Sequence, residues 1–438
     1  MMSAAEMLDR IFVTVPMLRV EMCGETVSIS NVAAGTAKRC GPEILELLEY
    51  FREPRTLRSW LTRPGASPQN VPTAISHAFL IDVDQLVTAE VGPIGSATRV
   101  SELLAQEVRA DTVIFGAPVD VASTGRGGAR CGPMEIRKQM QLPFAAAGTA
   151  AGTVYLDFEM RRQYSGPPPS IADLGSVAGL AGEGMATYGP RITLLSEMIL
   201  GSGAVPGMLG GDHSCTAFAL EAHLRHWPAL GILHFDAHHD LWPPAGPQFD
   251  YFTHANVFHR SLGSPMLKAI RQLGLRVFEA ASAHRLQDDS RVSFFSAREL
   301  QRMEPEAALA GLPRDIPYYL TFDIDCIDPI QAPETGTPLP GGLSYHQALD
   351  LVDYAAREFE LVGWDIVEVG QASGAFNGAA GCAARLVRQL LLGNRPFEPL
   401  GAYTQPVSTS LRAPVDPASA ARRQPQLDGL GIWTGSSH

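Results

Sequence analysis

The stretch that most restricts what this chain can fold into runs from Ala229 to Asp240. An apolar run, Ala229-Leu230-Gly231-Ile232, leads through Leu233-His234-Phe235 into Asp236-Ala237-His238-His239-Asp240. The run reads as a buried parallel strand, so the polar residues emerge where the strand ends, the place where open α/β sheets carry their chemistry. Residues two apart on a strand share a face, so Asp236, His238 and Asp240 can converge on one point. Such a cluster alone suits either a polar turn or a cation site.

Two further segments repeat the pattern. Pro206-Gly207-Met208-Leu209 ends in Gly210-Gly211-Asp212-His213-Ser214, with Ser214 placed to cap a helix over Thr216 to His226. Tyr318-Tyr319-Leu320-Thr321-Phe322 leads to Asp323-Ile324-Asp325-Cys326-Ile327-Asp328-Pro329, with Asp323 and Asp325 on one face and Pro329 as the stop. Four carboxylates and two imidazoles on three strand ends repel one another if left without a cation, at several kcal/mol each in a partly buried site. Oxygen and nitrogen donors without thiolate favour a hard or borderline ion such as Mn(II). The number of ligands suits two ions better than one.

The segments GGDHS, DAHHD and DIDCIDP, in this order and spacing, resemble the three metal signatures of the ureohydrolases, the arginase and agmatinase family. Gly116-Ala117-Pro118-Val119-Asp120 and Gly128-Ala129-Arg130-Cys131-Gly132-Pro133 are similar to the family's opening strand and loop. Glu334 to Ser344 resembles its GTGTPxxGGL loop, and Asp365-Ile366-Val367-Glu368-Val369 its last core strand. The resemblance covers roughly residues 105 to 405. It implies an arginase-like three-layer αβα domain with a parallel sheet, and a homo-oligomer. It also implies that His213, Asp236, Asp240 and Asp323 hold one Mn(II) and that Asp236, His238, Asp323 and Asp325 hold the other, Ni(II) being the alternative metal known among relatives.

A water shared by two cations loses its proton near neutrality and can attack a guanidinium carbon, and Asp240 is placed to move the proton onward. By the same resemblance His254 is the proton-shuttling histidine and Glu368 the carboxylate that grips the guanidinium. Ala255 stands where relatives have glycine, and Gly370-Gln371 where they have Asn-Pro. His239 and His259 are read as loop or core histidines.

The remainder of the chain sets the frame. At 438 residues it is long for one domain, and its formal charge of −12 gives no basic footprint for nucleic acid or an anionic membrane. No apolar run reaches membrane-spanning length and residues 1–10 do not read as a signal peptide, which points to the cytoplasm. The six cysteines are scattered without CxxC, as expected of buried free thiols. Residues 1–85 read as a separate α+β module: strands over Ile11 to Met22 and Thr26 to Ser30, then helices from Pro42, over Thr56 to Leu61 and over Val71 to Phe79. The order resembles winged-helix modules that bind leader peptides in ribosomal-peptide biosynthesis. An assembly or lid extension is the plainer reading of the same order. Residues 86–104 read as a linker and 406–438 as a mobile tail.

The loop Leu241-Trp242-Pro243-Pro244-Ala245-Gly246-Pro247-Gln248 lacks the polar residues that grip the α-carboxylate of free arginine in arginases. Free arginine is therefore not expected, and the N-terminal module makes conversion of peptidyl arginine to ornithine in a precursor peptide the first expectation. The alternative is hydrolysis of a small guanidine such as agmatine, a guanidino acid or guanidine. A catalytically inactive metal-binding protein, or a single-zinc deacetylase of related fold, would have lost ligands that are all present here.

Overall fold

Strands buried on both faces need helices above and below them, and the apolar runs of this chain form such strands. The computed structural model describes residues 4–140, 154–165, 167–243, 252–277, 289–372, 374, 376–393 and 395–400. Eight long strands follow in chain order: β1 (Thr112–Gly116), β2 (Ile171–Val177), β3 (Val205–Leu209), β4 (Leu230–Phe235), β5 (Leu267–Leu275), β6 (Val292–Ser296), β7 (Tyr318–Asp323) and β8 (Leu361–Val367). Their order in space is β6-β5-β4-β7-β8-β3-β1-β2, every neighbouring pair parallel. Parallel neighbours need crossovers, and helices supply them. Met185–Gly201 packs on Ser214–His226, while Gly132–Met140, Tyr345–Glu358 and Gly378–Leu392 form a second group. This is the expected α/β architecture.

Local signals explain several of these elements. Ser344 accepts from the Gln347 amide and Gln347 answers to the Ser344 amide, a capping box that starts Tyr345–Glu358, on which Leu349, Val352 and Ala356 are buried. Ser214 departs from expectation. The helix already begins at Ser214, whose hydroxyl donates to Asp212, and Asp212 Oδ1 accepts the Ser214 amide at 3.1 Å. The acid two residues earlier satisfies the helix start, because an ionised carboxylate accepts more strongly than a hydroxyl.

The stretch 86–104 is not a free linker. Val87–Thr88 and Ser96–Ala97 pair with β2, extending the sheet to ten strands, and helix Val100–Leu104 buries Val100 and Leu103 in the main core. Its Gly and Pro residues mark turns between short anchored pieces, since Leu86, Ile94, Val100 and Leu103 are buried.

The first 85 residues have a core of their own, built from Phe12, Val27, Ile29, Ile44, Leu47, Phe51, Trp60 and Phe79 among others. The expected strand over Ile11 to Met22 is two strands, Ile11–Thr14 and Leu18–Cys23, broken at Pro16 and Met17, where φ is +68°. Leu18–Cys23, Thr26–Asn31 and Thr36–Cys40 form an antiparallel sheet, with Gly24 at φ +67° closing the first hairpin. A helix over Ala4–Asp9 precedes them, and the expected helices are Ile44–Tyr50, Leu57–Leu61 and Asn70–Ser76, the last ending before the predicted Phe79 because the chain turns at Ala78, φ +52°. Alternation on Ile11–Thr14 sends Phe12 into the module's core and Val13 into the main core.

Among the described residues, 154–165 and 396–400 group apart from the rest, inside the range expected to be one catalytic domain. They form a three-stranded antiparallel sheet, Val154–Asp157, Arg162–Ser165 and Phe397–Pro399, with Arg162 stacked over Phe397. The tail 406–438 and residues 244–248 of the loop after Asp240 lie outside the described residues. All six cysteines are free, with Cys215 and Cys326 buried and the other four partly exposed.

Candidate metal centre

Sheet order brings the carboxyl ends of β4, β7, β8 and β3 side by side, and each end delivers polar groups to one place. At the end of β3 the chain passes close to a neighbouring loop: a Cβ on Gly211 would sit 1.9 Å from the Val119 carbonyl oxygen, so only glycine fits. The next residue, Asp212, donates its amide to Val119 and accepts from the Ala122 amide at 2.9 Å, fixing the loop that carries Thr124. Burial, then Glu368, pushes the Asp212 acid up to about 6.

His213 Nδ1 lies 2.9 Å from Asp240 Oδ2, 3.2 Å from Asp236 Oδ2 and 3.5 Å from Asp323 Oδ2. His238 Nδ1 lies 3.1 Å from Asp325 Oδ2 and 3.3 Å from Asp236 Oδ1. All six sequence-predicted ligands therefore meet, and Asp236 joins the two groups. Donor atoms close enough to share an ion occur on His213, His234, Asp236 and Asp240 and again on Asp236, His238 and Asp325. Only His238 among the six is not fully buried.

So many buried charges perturb one another. Burial and the neighbouring Asp325 and Asp236 push Asp323 well above the carboxylate range, and burial and Asp236 push Asp325 up. Asp236 is held well below it, against burial, by His213 and His234. Burial opposes charge on His238, yet Asp236 and Asp325 carry it up to about 12. His213 Nδ1 has no well-formed hydrogen bond although three carboxylates surround it. A divalent cation on these oxygens and nitrogens removes the conflict, so the donor set fits the ions that the signatures imply.

Beside the ligands, Glu368 is fully buried at φ +61°, and Asp240 sits at φ +51°. Non-glycine residues adopt this region at a cost, and it recurs where a functional side chain must be aimed. Glu368 Oε1 accepts the His213 amide at 2.9 Å and faces His254 Nδ1 at 3.3 Å, while its Oε2 has no hydrogen-bond partner among the described residues. His254 Nε2 accepts the Thr124 amide at 3.1 Å, so in the neutral ring the proton sits on Nδ1, toward Glu368. Burial works against charge on His254, but Glu368 raises its pKa overall.

A cavity of about 190 Å³ opens here, lined by Thr124, His238, Asp240, Trp242, His254 and Asp323 among others. His239 is part of its wall and stacks on Trp242, whereas His259 is an exposed helix residue away from it.

Sequence reasoning passed over His234, Thr321, Thr124 and Thr337. His234 and Thr321 stand two residues before Asp236 and Asp323, on the same strand faces, so the period of two could have singled them out. His234 accepts from Gln272 Nε2 at 3.1 Å and thus donates from Nε2 to Asp236 Oδ2 at 2.8 Å, a support of the carboxylate rather than a ligand. Thr337 donates to Asp325 Oδ2 at 3.0 Å. No local pattern marks Thr124, whereas Thr337 lies within the Glu334 to Ser344 loop already singled out.

A sequence model of the Arginase family matches residues 110–393. An agmatinase of Edwardsiella ictaluri (strain 93-146) is 33% identical over 287 residues, 64% of this chain and 87% of that protein. The crystal structure of a hypothetical agmatinase from Burkholderia thailandensis superposes with a TM-score of 0.54 at 28% identity, covering 71% of this chain and 97% of that one. The agmatine ureohydrolase of Thermoplasma volcanium gives a TM-score of 0.54 at 25% identity, covering 70% and 94%. With signatures, sheet order and site geometry in agreement, the chain belongs to the arginase family, hydrolases that act on C–N bonds of linear amidines.

Proposed function

We propose that this ureohydrolase acts on a small guanidino compound without an α-carboxylate, agmatine being the first candidate. One observation carries the choice: no lysine or arginine stands among the described residues of the 190 Å³ cavity, whose lining is Asp240 and Asp323, three imidazoles, Thr124, Thr337, Ala255 and the Trp242 indole. Such a wall favours a cationic or neutral tail, which an aromatic face can also stabilise, and places no guanidinium or ammonium group against an α-carboxylate. The 33% identity to an agmatinase supports the same substrate.

In this reading His213, Asp236, Asp240 and Asp323 hold one Mn(II), and Asp236, His238, Asp323 and Asp325 the other. When bound, two such ions polarise water and supply a nucleophile near neutral pH. Glu368, with its unpartnered Oε2, orients the guanidinium. Asp240 takes the proton released by water, and His254, whose pKa Glu368 raises against burial, delivers a proton to the departing nitrogen. Water oxygen bonds to the guanidinium carbon, the bond to the alkyl nitrogen breaks, and urea and an alkylammonium ion leave. The reading also includes a cytoplasmic homo-oligomer; among the described residues no helix is long and apolar enough to cross a membrane.

The test is urea release from agmatine, 4-guanidinobutyrate, guanidine and L-arginine with Mn(II). Agmatine should exceed L-arginine by at least about 100-fold in kcat/KM, the cost of an unmatched buried carboxylate. Equal rates would reject this substrate class.

Peptidyl arginine remains as the second reading because of one feature. A groove of about 790 Å³ runs between the first module and the main body, lined by Val15, Met17, Val20, Leu48, Phe218 and Phe252 among others. The Leu18–Cys23 strand borders it with an outer edge that pairs with no described strand, an arrangement that accepts an extended peptide. Ornithine formed within an arginine-containing peptide, detected by mass spectrometry and weakened by Val20→Asp, would favour it. Ornithine formation unaffected by that change would separate the activity from the groove.

A further inference from the structure

Beneath the ligands lies a second row of polar side chains. Strand register pairs His234 with Thr321 and Thr321 with Asp365, so three adjacent strands present these residues side by side, two positions below Asp236 and Asp323. His234, Thr321 and Asp365 are fully buried. Asp365 accepts three hydroxyls: Thr321 on Oδ1 at 2.6 Å, and Tyr319 at 2.7 Å and Thr216 at 2.8 Å on Oδ2. The Thr321 oxygen in turn lies 2.9 Å from His213 Nε2.

A hydroxyl has one proton to give. Thr321 spends it on Asp365, so its oxygen offers His213 only lone pairs and must receive the Nε2 proton. That leaves the lone pair on Nδ1, the atom that faces Asp236, Asp240 and Asp323. Reversing Thr321 would place a proton on Nδ1 and close it to a metal.

We propose that Thr321 and Asp365 are positioning residues for the metal centre: they hold His213 in the tautomer and ring orientation that make Nδ1 a ligand. Thr216 and Tyr319 keep Asp365 an acceptor and prevent it from turning away. The pair touches neither substrate nor metal, and it serves the His213 side of the centre, not the side held by His238 and Asp325. The inference rests on the two-metal reading above.

The test measures Mn(II) stoichiometry and affinity by elemental analysis and titration calorimetry on chelator-stripped, reloaded full-length protein, with melting curves for each variant. Thr321→Val keeps the shape and removes the acceptor. It should weaken one of two Mn(II) positions about 10- to 100-fold, the usual effect of losing a hydrogen-bond partner of a ligating histidine, and leave the other unchanged. Thr321→Ser should stay within about threefold of the parent at both positions. Should the valine variant fail to fold, Asp365→Asn carries the same expectation, since an amide can donate to Thr321 and turn its proton toward His213. Two Mn(II) bound at parental affinity in Thr321→Val, or equal weakening of both positions, would overturn the assignment. Asp236→Asn is the control: if it too kept both ions, the metal reading itself would fall.

Discussion

The main body and the first module bury different things. In the body, Asp236, Asp323, Asp325, Asp365, Glu368, His213, His234 and Arg137 are all removed from solvent, each beside a group of opposite charge or a hydrogen-bond partner. In the module the buried residues are apolar, with Asn31 and Asp82 as the polar ones among those described. Burying a charge is costly unless it is paired, so a chain does this where function demands it. The contrast teaches that chemistry is confined to one end of the large sheet. The module is a packing unit with an apolar core of its own.

The strongest way to break that contrast is at the shared ligand. Asp236→Asn should lose bound metal and lower urea formation by at least about 10³-fold, since losing a ligand shared by two ions costs several kcal/mol of transition-state stabilisation. A rate and metal content within twofold of the parent would show that the centre is not organised around Asp236.

A smaller effect is expected one step from the metal. His254→Ala should slow turnover by roughly 10²- to 10⁴-fold while both metals stay bound. Loss of metal in this variant would make His254 a ligand. Its folded pKa is raised by Glu368 against burial, so as the proton donor it works below that pKa, and activity falls as pH rises through it. Glu368→Gln should therefore move the basic limb of the pH profile to lower pH; an unmoved limb would assign that limb to another group.

The module should respond in stability rather than chemistry. Trp60→Ala, at a position 1% exposed, should destabilise by about 3–5 kcal/mol in chemical denaturation while metal content stays at the parental value. Metal loss in the folded variant would erase the contrast. Removing the whole module is a poorer experiment, because Val13 and Val83 belong to the core of the main body. The smallest effect sits at Met17, exposed at φ +68°, where Met17→Gly should stabilise by at most about 1 kcal/mol by relieving the left-handed backbone. A clear loss of stability would mean that the Met17 side chain holds the groove.

Much of the site was legible because strands alternate. Asp236, His238 and Asp240, and Asp323 and Asp325, share faces by a period of two, which needs no knowledge of any neighbour. The same rule would have reached His234 and Thr321 had the strand interiors been read as closely as their ends. Helix Tyr345–Glu358 was legible in its capping box and apolar stripe. The stretch 86–104 was misread since glycine and proline mark turns whether or not the pieces between them are anchored. Ser214 was misread because the acid two residues before it competes for the same helix amide.

What the sequence by itself determined, then, is which residues leave each strand end together, for that depends on backbone geometry a few residues long. Only the tertiary structure decided that β4, β7, β8 and β3 lie side by side, so that His213, Asp236, Asp323 and Glu368 become neighbours. It alone set the register that lines up His234, Thr321 and Asp365, and folded the loop of Thr124 onto His254. Strand order and register are choices among long-range pairings, settled by which crossovers bury the most apolar surface, and no short stretch of chain contains that information.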